Sequence, residues 1–135
     1  MSNIRVLDVT LRDGGCVNNF NFGQVYMEKI LKAQEDSGVE IIEMGYIDEK
    51  NGSKSGRTQY ISDQVIPQCI LKHKKEGVTY VAMMDFGKFN PMNLAPRSEK
   101  SIDGLRVAFH KKDMYNMVPV CKTVMAKGYQ VFIQP

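Results

Sequence analysis

Residues 7–15 read LDVTLRDGG. The first five alternate apolar and polar side chains, as a half-buried strand does, and the next four bring an arginine, a carboxylate and two glycines. A strand that only had to stop could do so at a glycine or an asparagine. Arg12 and Asp13 instead put a fixed positive charge and a strong acceptor at the exit of a buried element, which suits chemistry better than it suits a turn. The alternation predicts a strand from about Ile4 to Leu11.

Outward from this stretch, period-two apolar segments alternate with helix-like ones. A helix is predicted over about Phe22 to Asp36, with Tyr26, Met27, Ile30 and Leu31 on one face and Gly38 as its stop signal. Strand two follows as VEIIEMGYI, residues 39–47. A polar loop leads to a helical region expected over Thr58 to Glu76, kinked or divided by Pro67 and ended by Gly77. Strand three is VTYVAMMDF, residues 78–86, followed by a stretch to Asp103 with room for only a short helix. Strand four is LRVAFH, residues 105–110; a helix over about Lys111 to Lys127 carries Met114, Met117, Val118, Cys121, Val124 and Met125 at helical spacing, read as core packing. Gly128 then hands over to strand five, YQVFI. Strands joined by helical crossovers run parallel, covered on both faces. The fold class is therefore α/β, built of parallel β/α units: either a complete doubly wound sheet or the first part of an eight-stranded barrel, which needs about 250 residues to close. In both, function collects at the carboxyl ends of the strands, where this chain offers Arg12 and Asp13, Glu43 to Tyr46, Asp85, His110 and Gln134.

The bulk properties narrow the function classes. A chain of 135 residues with 43% hydrophobic and 24% charged residues has ordinary globular composition and the length of one domain. Lysine and arginine exceed aspartate and glutamate by 18 − 15 = +3, and the one basic run, KHKK at 72–75, closes a predicted helix, where cations favour the helix dipole. No basic stripe interleaved with aromatics points to nucleic acid. No apolar run approaches the roughly 20 residues of a membrane span, so no membrane partner is expected. Cys16, Cys69 and Cys121 are odd in number and without CxxC spacing, which indicates neither a disulfide framework nor structural zinc and fits a cytoplasmic protein.

DVTLRDGG resembles the strand-one signature of the HMG-CoA lyase-like superfamily of metal-dependent (β/α)8 (TIM) barrels, which includes HMG-CoA lyase, 4-hydroxy-2-oxovalerate aldolase and the isopropylmalate and homocitrate synthases. The likeness extends through EDSGVEIIEMGY, which is similar to the family's second strand, and covers about the first third of the chain. The resemblance implies a carbon–carbon lyase or aldolase acting on a small hydroxy-keto acid or hydroxy-acyl thioester through an enolate, with a divalent metal, Mg²⁺ or Mn²⁺. It also implies that residues 1–135 form a single domain, the N-terminal half of such a barrel within a longer protein. On this reading Asp13 is a metal ligand, since a divalent cation needs a hard oxygen donor on a rigid element. Arg12 neutralises the developing enolate oxygen, Glu43 pairs with and orients Arg12, and Asp8 supports them from the barrel interior.

Where the family places a glutamine or a histidine that reaches the substrate, this chain has Cys16, read here as a pocket-lining, substrate-binding side chain. His110 is the second substrate-binding candidate. The family's late-strand His-x-His metal pair is absent: the only histidines are His73 and His110. Five strands of a barrel leave the edges of strands one and five unpaired, which invites a homo-oligomer or pairing of the exposed edges. The alternative reading is a noncatalytic flavodoxin-like or receiver-like signalling module. The two differ in strand order: sequential for the barrel arc, 2-1-3-4-5 for the flavodoxin-like sheet.

Overall fold

The computed structural model describes residues 4–135. Its elements in chain order begin with β1 (Leu7–Asp8), α1 (Thr10–Asp13), α2 (Gly15–Asn18) and α3 (Gln24–Ser37). Next come β2 (Ile41–Ile47), β3 (Gln59–Tyr60), α4 (Val65–Cys69) and β4 (Thr79–Asp85), then β5 (Gly104–Ala108), α5 (Met117–Ala126) and β6 (Gln130–Gln134), with single 3₁₀ turns at Pro91–Asn93 and Lys111–Asp113. The sheet is parallel and curled, in the order β1-β2-β4-β5-β6, with the two-residue β3 added to β2 off that path. Apart from β3 the strands lie in chain order, as in an arc of a barrel, and not in the 2-1-3-4-5 order of a flavodoxin-like sheet.

The two faces of the sheet carry different chemistry. Toward the helices lie Ile42 and Met44 of β2, Tyr80, Ala82 and Met84 of β4, and Leu105 and Val107 of β5, all fully buried in one apolar cluster with Met27 and Leu31 of α3. Alternation puts Glu43, Met83 and Arg106 on the concave face. A register shift between Glu43 and Tyr46 returns Tyr46 to that face beside Met83. Gly45 makes the shift feasible: its φ of 148° lies outside what side chains favour, and a Cβ there would sit 2.1 Å from the Thr58 carbonyl oxygen.

Several elements differ from the expected ones. The Thr58–Glu76 helix shrinks to Val65–Cys69 because Thr58 and Tyr60 are claimed by β2: Tyr46 N–H donates to Thr58 O and the buried Tyr60 hydroxyl to Met44 O. Pro67 stands in the first turn of that helix, where its missing N–H costs nothing. In α3, Met27 and Leu31 are buried but Tyr26 is 65% exposed. The Lys111–Lys127 helix shortens to α5, in which only Met117 and Val124 are buried; Val118 and Met125 of α5, and Met114 before it, are surface residues and not the core row the spacing suggested. Among the described residues no helix is long and apolar enough to cross a membrane.

Candidate functional site

β1 is shorter than the alternation predicts, and its end explains the placement of the charged pair. The Asp8 carboxylate accepts a 2.8 Å hydrogen bond from Thr10 N–H, and the N–H groups of Arg12 and Asp13 both turn back to Val9 O at 3.0 and 2.7 Å. An aspartate bonding the backbone two residues on starts a turn, so the strand stops at Asp8 and Arg12 leaves from one turn of helix anchored by the fully buried Leu11. Asp8 also accepts from Gln34 of α3 at 2.6 Å, so it faces the helix layer and not the barrel interior. Burial pushes its carboxyl up, but these hydrogen bonds outweigh that and hold it below its usual range.

The two glycines have a packing reason. A Cβ on Gly14 would lie 2.6 Å from Thr10 O, and one on Gly15 2.2 Å from the Phe20 ring. Phe20, held in a left-handed conformation at φ 58°, stacks on Tyr46 with ring centroids 6.2 Å apart. Thr58 N–H donates to Phe20 O, and Arg57 donates to Asn19 O from two nitrogens. Such a backbone persists only where its surroundings over-determine it.

At the centre of the concave face is Glu43, whose side chain is fully buried. Arg12 Nε donates to its Oε1 at 3.0 Å, so the expected pair is brought together. Glu43 has a second and tighter partner that the sequence reading missed. Arg106 of β5 donates Nε to Oε2 at 2.5 Å and Nη2 to Oε1 at 2.7 Å, and its Nη1 donates to the side-chain oxygen of Gln134 on β6. The two-point contact is the strong geometry for a guanidinium on a carboxylate, and it raises the Arg106 pKa against the opposing effect of burial, with Asp13 and Asp85 adding to the attraction. The signal was available: in LRVAFH an arginine occupies the inward phase of an otherwise apolar strand.

Asp85, at the end of β4, accepts a 3.0 Å hydrogen bond from the Tyr46 hydroxyl. Burial, then the facing Asp85 charge, pushes the Tyr46 phenol up, so it stays a donor. Asp85, His110 and Gln134 line one cleft of about 340 Å³ at the carboxyl ends of β4, β5 and β6, with Lys88 and Asp113 on its wall. His110 is exposed on this rim. Cys16 does not line the cleft; it is exposed on α2. Asp13 is also exposed, at 64% of its side chain, and its Oδ1 lies 3.1 Å from Arg12 Nη1. Among the described residues no three His, Cys, Asp or Glu side chains come close enough together to hold a metal ion. Asp13 could serve as one donor, but the described residues do not by themselves fit a divalent cation. No family model, curated protein or solved structure matches the chain.

Proposed function

We propose that this chain is the N-terminal arc of a (β/α)8 barrel of the HMG-CoA lyase-like superfamily. On this reading it belongs to a carbon–carbon lyase or aldolase acting on a hydroxy-keto acid or hydroxy-acyl thioester. The observation that carries the reading is the Arg12 guanidinium, tethered by Nε to a buried carboxylate at the carboxyl end of a parallel sheet with its strands in chain order. When the substrate's carbon–carbon bond opens, its hydroxyl loses a proton and becomes a carbonyl. The bonding pair moves into an enolate, whose oxygen gains negative charge only then. A permanently charged donor facing that oxygen stabilises the transition state more than the ground state.

Glu43 sets the orientation of Arg12, and the cleft edged by Asp85, His110 and Gln134 holds the departing carbonyl half. Asp13 would lend one oxygen to the Mg²⁺ or Mn²⁺ ion that the resemblance implies; a single carboxylate makes a weak site. The sheet edges at β1 and β6 are where further strands, or a second copy, would pair.

The test is cleavage of a panel of 4-hydroxy-2-oxo acids and 3-hydroxy-acyl thioesters by the intact gene product with Mn²⁺ or Mg²⁺, read by NMR detection of the carbonyl fragments. Turnover of at least one class is expected. No cleavage, together with no solvent deuterium entering the carbon next to the carbonyl of any 2-oxo acid, would overturn the proposal.

A further inference from the structure

We propose that Arg106 is a positioning residue that decides which edge of the Arg12 guanidinium stays open for a ligand oxygen. This rests on the reading of Arg12 as the donor to the enolate. The two nitrogens on one side edge of a guanidinium, Nε and Nη2, match the two oxygens of a carboxylate, and this is how Arg106 holds Glu43: Nε on Oε2, Nη2 on Oε1. Arg12 reaches the same carboxylate with Nε alone, on Oε1. Its Nη1 lies beside Asp13, and its Nη2 has no hydrogen-bond partner among the described residues.

The asymmetry has a simple cause: a side-on pair needs the two adjacent lone pairs of the carboxylate, one on each oxygen, and the Arg106 fork takes both, so Arg12 Nε is left with a second lone pair of Oε1. Arg106 is itself fixed. Its side chain is 9% exposed, its Nη1 donates to Gln134, and its Nη2 lies 3.4 Å from Met83 Sδ. It therefore cannot release Oε2 without abandoning β6 as well.

Without Arg106, Glu43 would face Arg12 with both oxygens free, and the preferred two-point pairing would close the Nη2 edge. Arg106 thus keeps Arg12 tethered but not saturated. Through Gln134 it also ties Arg12 to the cleft at the ends of β4, β5 and β6.

The test is NMR of the arginine side chains in the 135-residue chain and in its Arg106→Met and Arg106→Lys variants, with backbone amide spectra confirming the fold. In the wild type the Arg12 Nε–H should show a hydrogen-bonded shift while rotation about its Cζ–Nη2 bond stays fast. In Arg106→Met that rotation should slow until two Hη2 signals resolve. Arg106→Lys should give the same change, because an ammonium is a point charge that cannot hold both carboxylate oxygens in a fork; it carries the test alone if the methionine variant does not fold. In the intact gene product Arg106→Lys should lower kcat about tenfold, the lower end of what losing a supporting partner costs at metal-site ligands. Unchanged Arg12 signals in every Arg106 variant that folds would overturn the proposal even if Arg12 proves essential. Loss-free turnover by Arg12→Met would instead remove the reading on which it rests.

Discussion

Replacing Glu43 by alanine removes the one carboxylate that two guanidiniums share, and the structure fixes how large the effect should be. Arg106 keeps only 9% of its side chain exposed and loses both nitrogens' contacts to Glu43, which leaves its charge buried with Gln134 and Met83 as neighbours. Breaking a buried ion pair from one side costs about 3–5 kcal/mol, because a charge is left uncompensated. Arg12 adds little, roughly 0–1 kcal/mol, since its side chain is 19% exposed and still has Asp13 beside it. The sum is a large part of the roughly 5–15 kcal/mol that holds a domain together, and for a chain of this size it corresponds to a fall in Tm of about 10–20 °C. The assay is urea and thermal unfolding of the wild type, Glu43→Ala, Glu43→Leu, Arg106→Met and the Glu43→Leu/Arg106→Met double variant. The double variant removes both charges and fills the space, so it should regain most of the stability, with a coupling of roughly 3 kcal/mol. A Glu43→Ala protein within 1 kcal/mol of wild type, or a double variant as unstable as the two losses added, would show that the pair is not the buried ion pair described above.

Gly15→Ala should destabilise the fold by about 1–3 kcal/mol, the usual range for overpacking, because its Cβ would enter the Phe20 ring that stacks on Tyr46; unchanged urea unfolding would contradict this. Asp103 accepts from Lys74, Arg97 and Tyr80 N–H, and these bonds hold its carboxyl below the usual value although burial pushes the other way. Its folded pKa lies below its unfolded one, so its contribution is present above about pH 3.8 and is lost as pH falls through the lower folded value. Asp103→Asn should therefore flatten the acid limb of the stability–pH curve, and an unaltered limb would refute the assignment.

The parallel α/β rhythm was legible because strands buried toward helices write long apolar runs: β2 and β4 fall within the predicted segments, and β5 and β6 overlap theirs with one residue outside each, Gly104 and Gln134. The strand order also agrees with the barrel-arc expectation. What was not legible depends on competition between residues far apart in sequence. Thr10, Arg12 and Asp13 read as the end of a strand until Asp8 bonds Thr10 N–H and turns the chain. Thr58 to Tyr60 read as helix until β2 recruits Gln59 and Tyr60 as a parallel strand and Tyr46 N–H bonds Thr58 O. Met114, Val118 and Met125 have helical spacing, but spacing alone does not say which face meets the sheet. In the site, Arg12 and Glu43 were found through a local motif. Arg106 belongs to no motif: its inward phase in LRVAFH could have marked it, but its partner Glu43 emerges only when β5 lies beside β4 and within reach of β2. Cys16 was assigned to substrate from the resemblance and His110 from its place at a strand end, yet only His110 borders the cleft.

The central claim is that Arg12 stabilises an enolate oxygen, and steady-state kinetics of the intact gene product with Arg12→Met and Arg12→Lys tests it most directly. The charge on that oxygen exists only as the carbon–carbon bond opens, so the loss should fall on kcat more than on KM. Removing such a donor costs on the order of 10²–10³-fold in rate, and lysine, which keeps the charge without the planar fork, should restore little of it. A methionine variant that turns over at near the wild-type kcat would contradict the account and leave LRDGG as a structural turn.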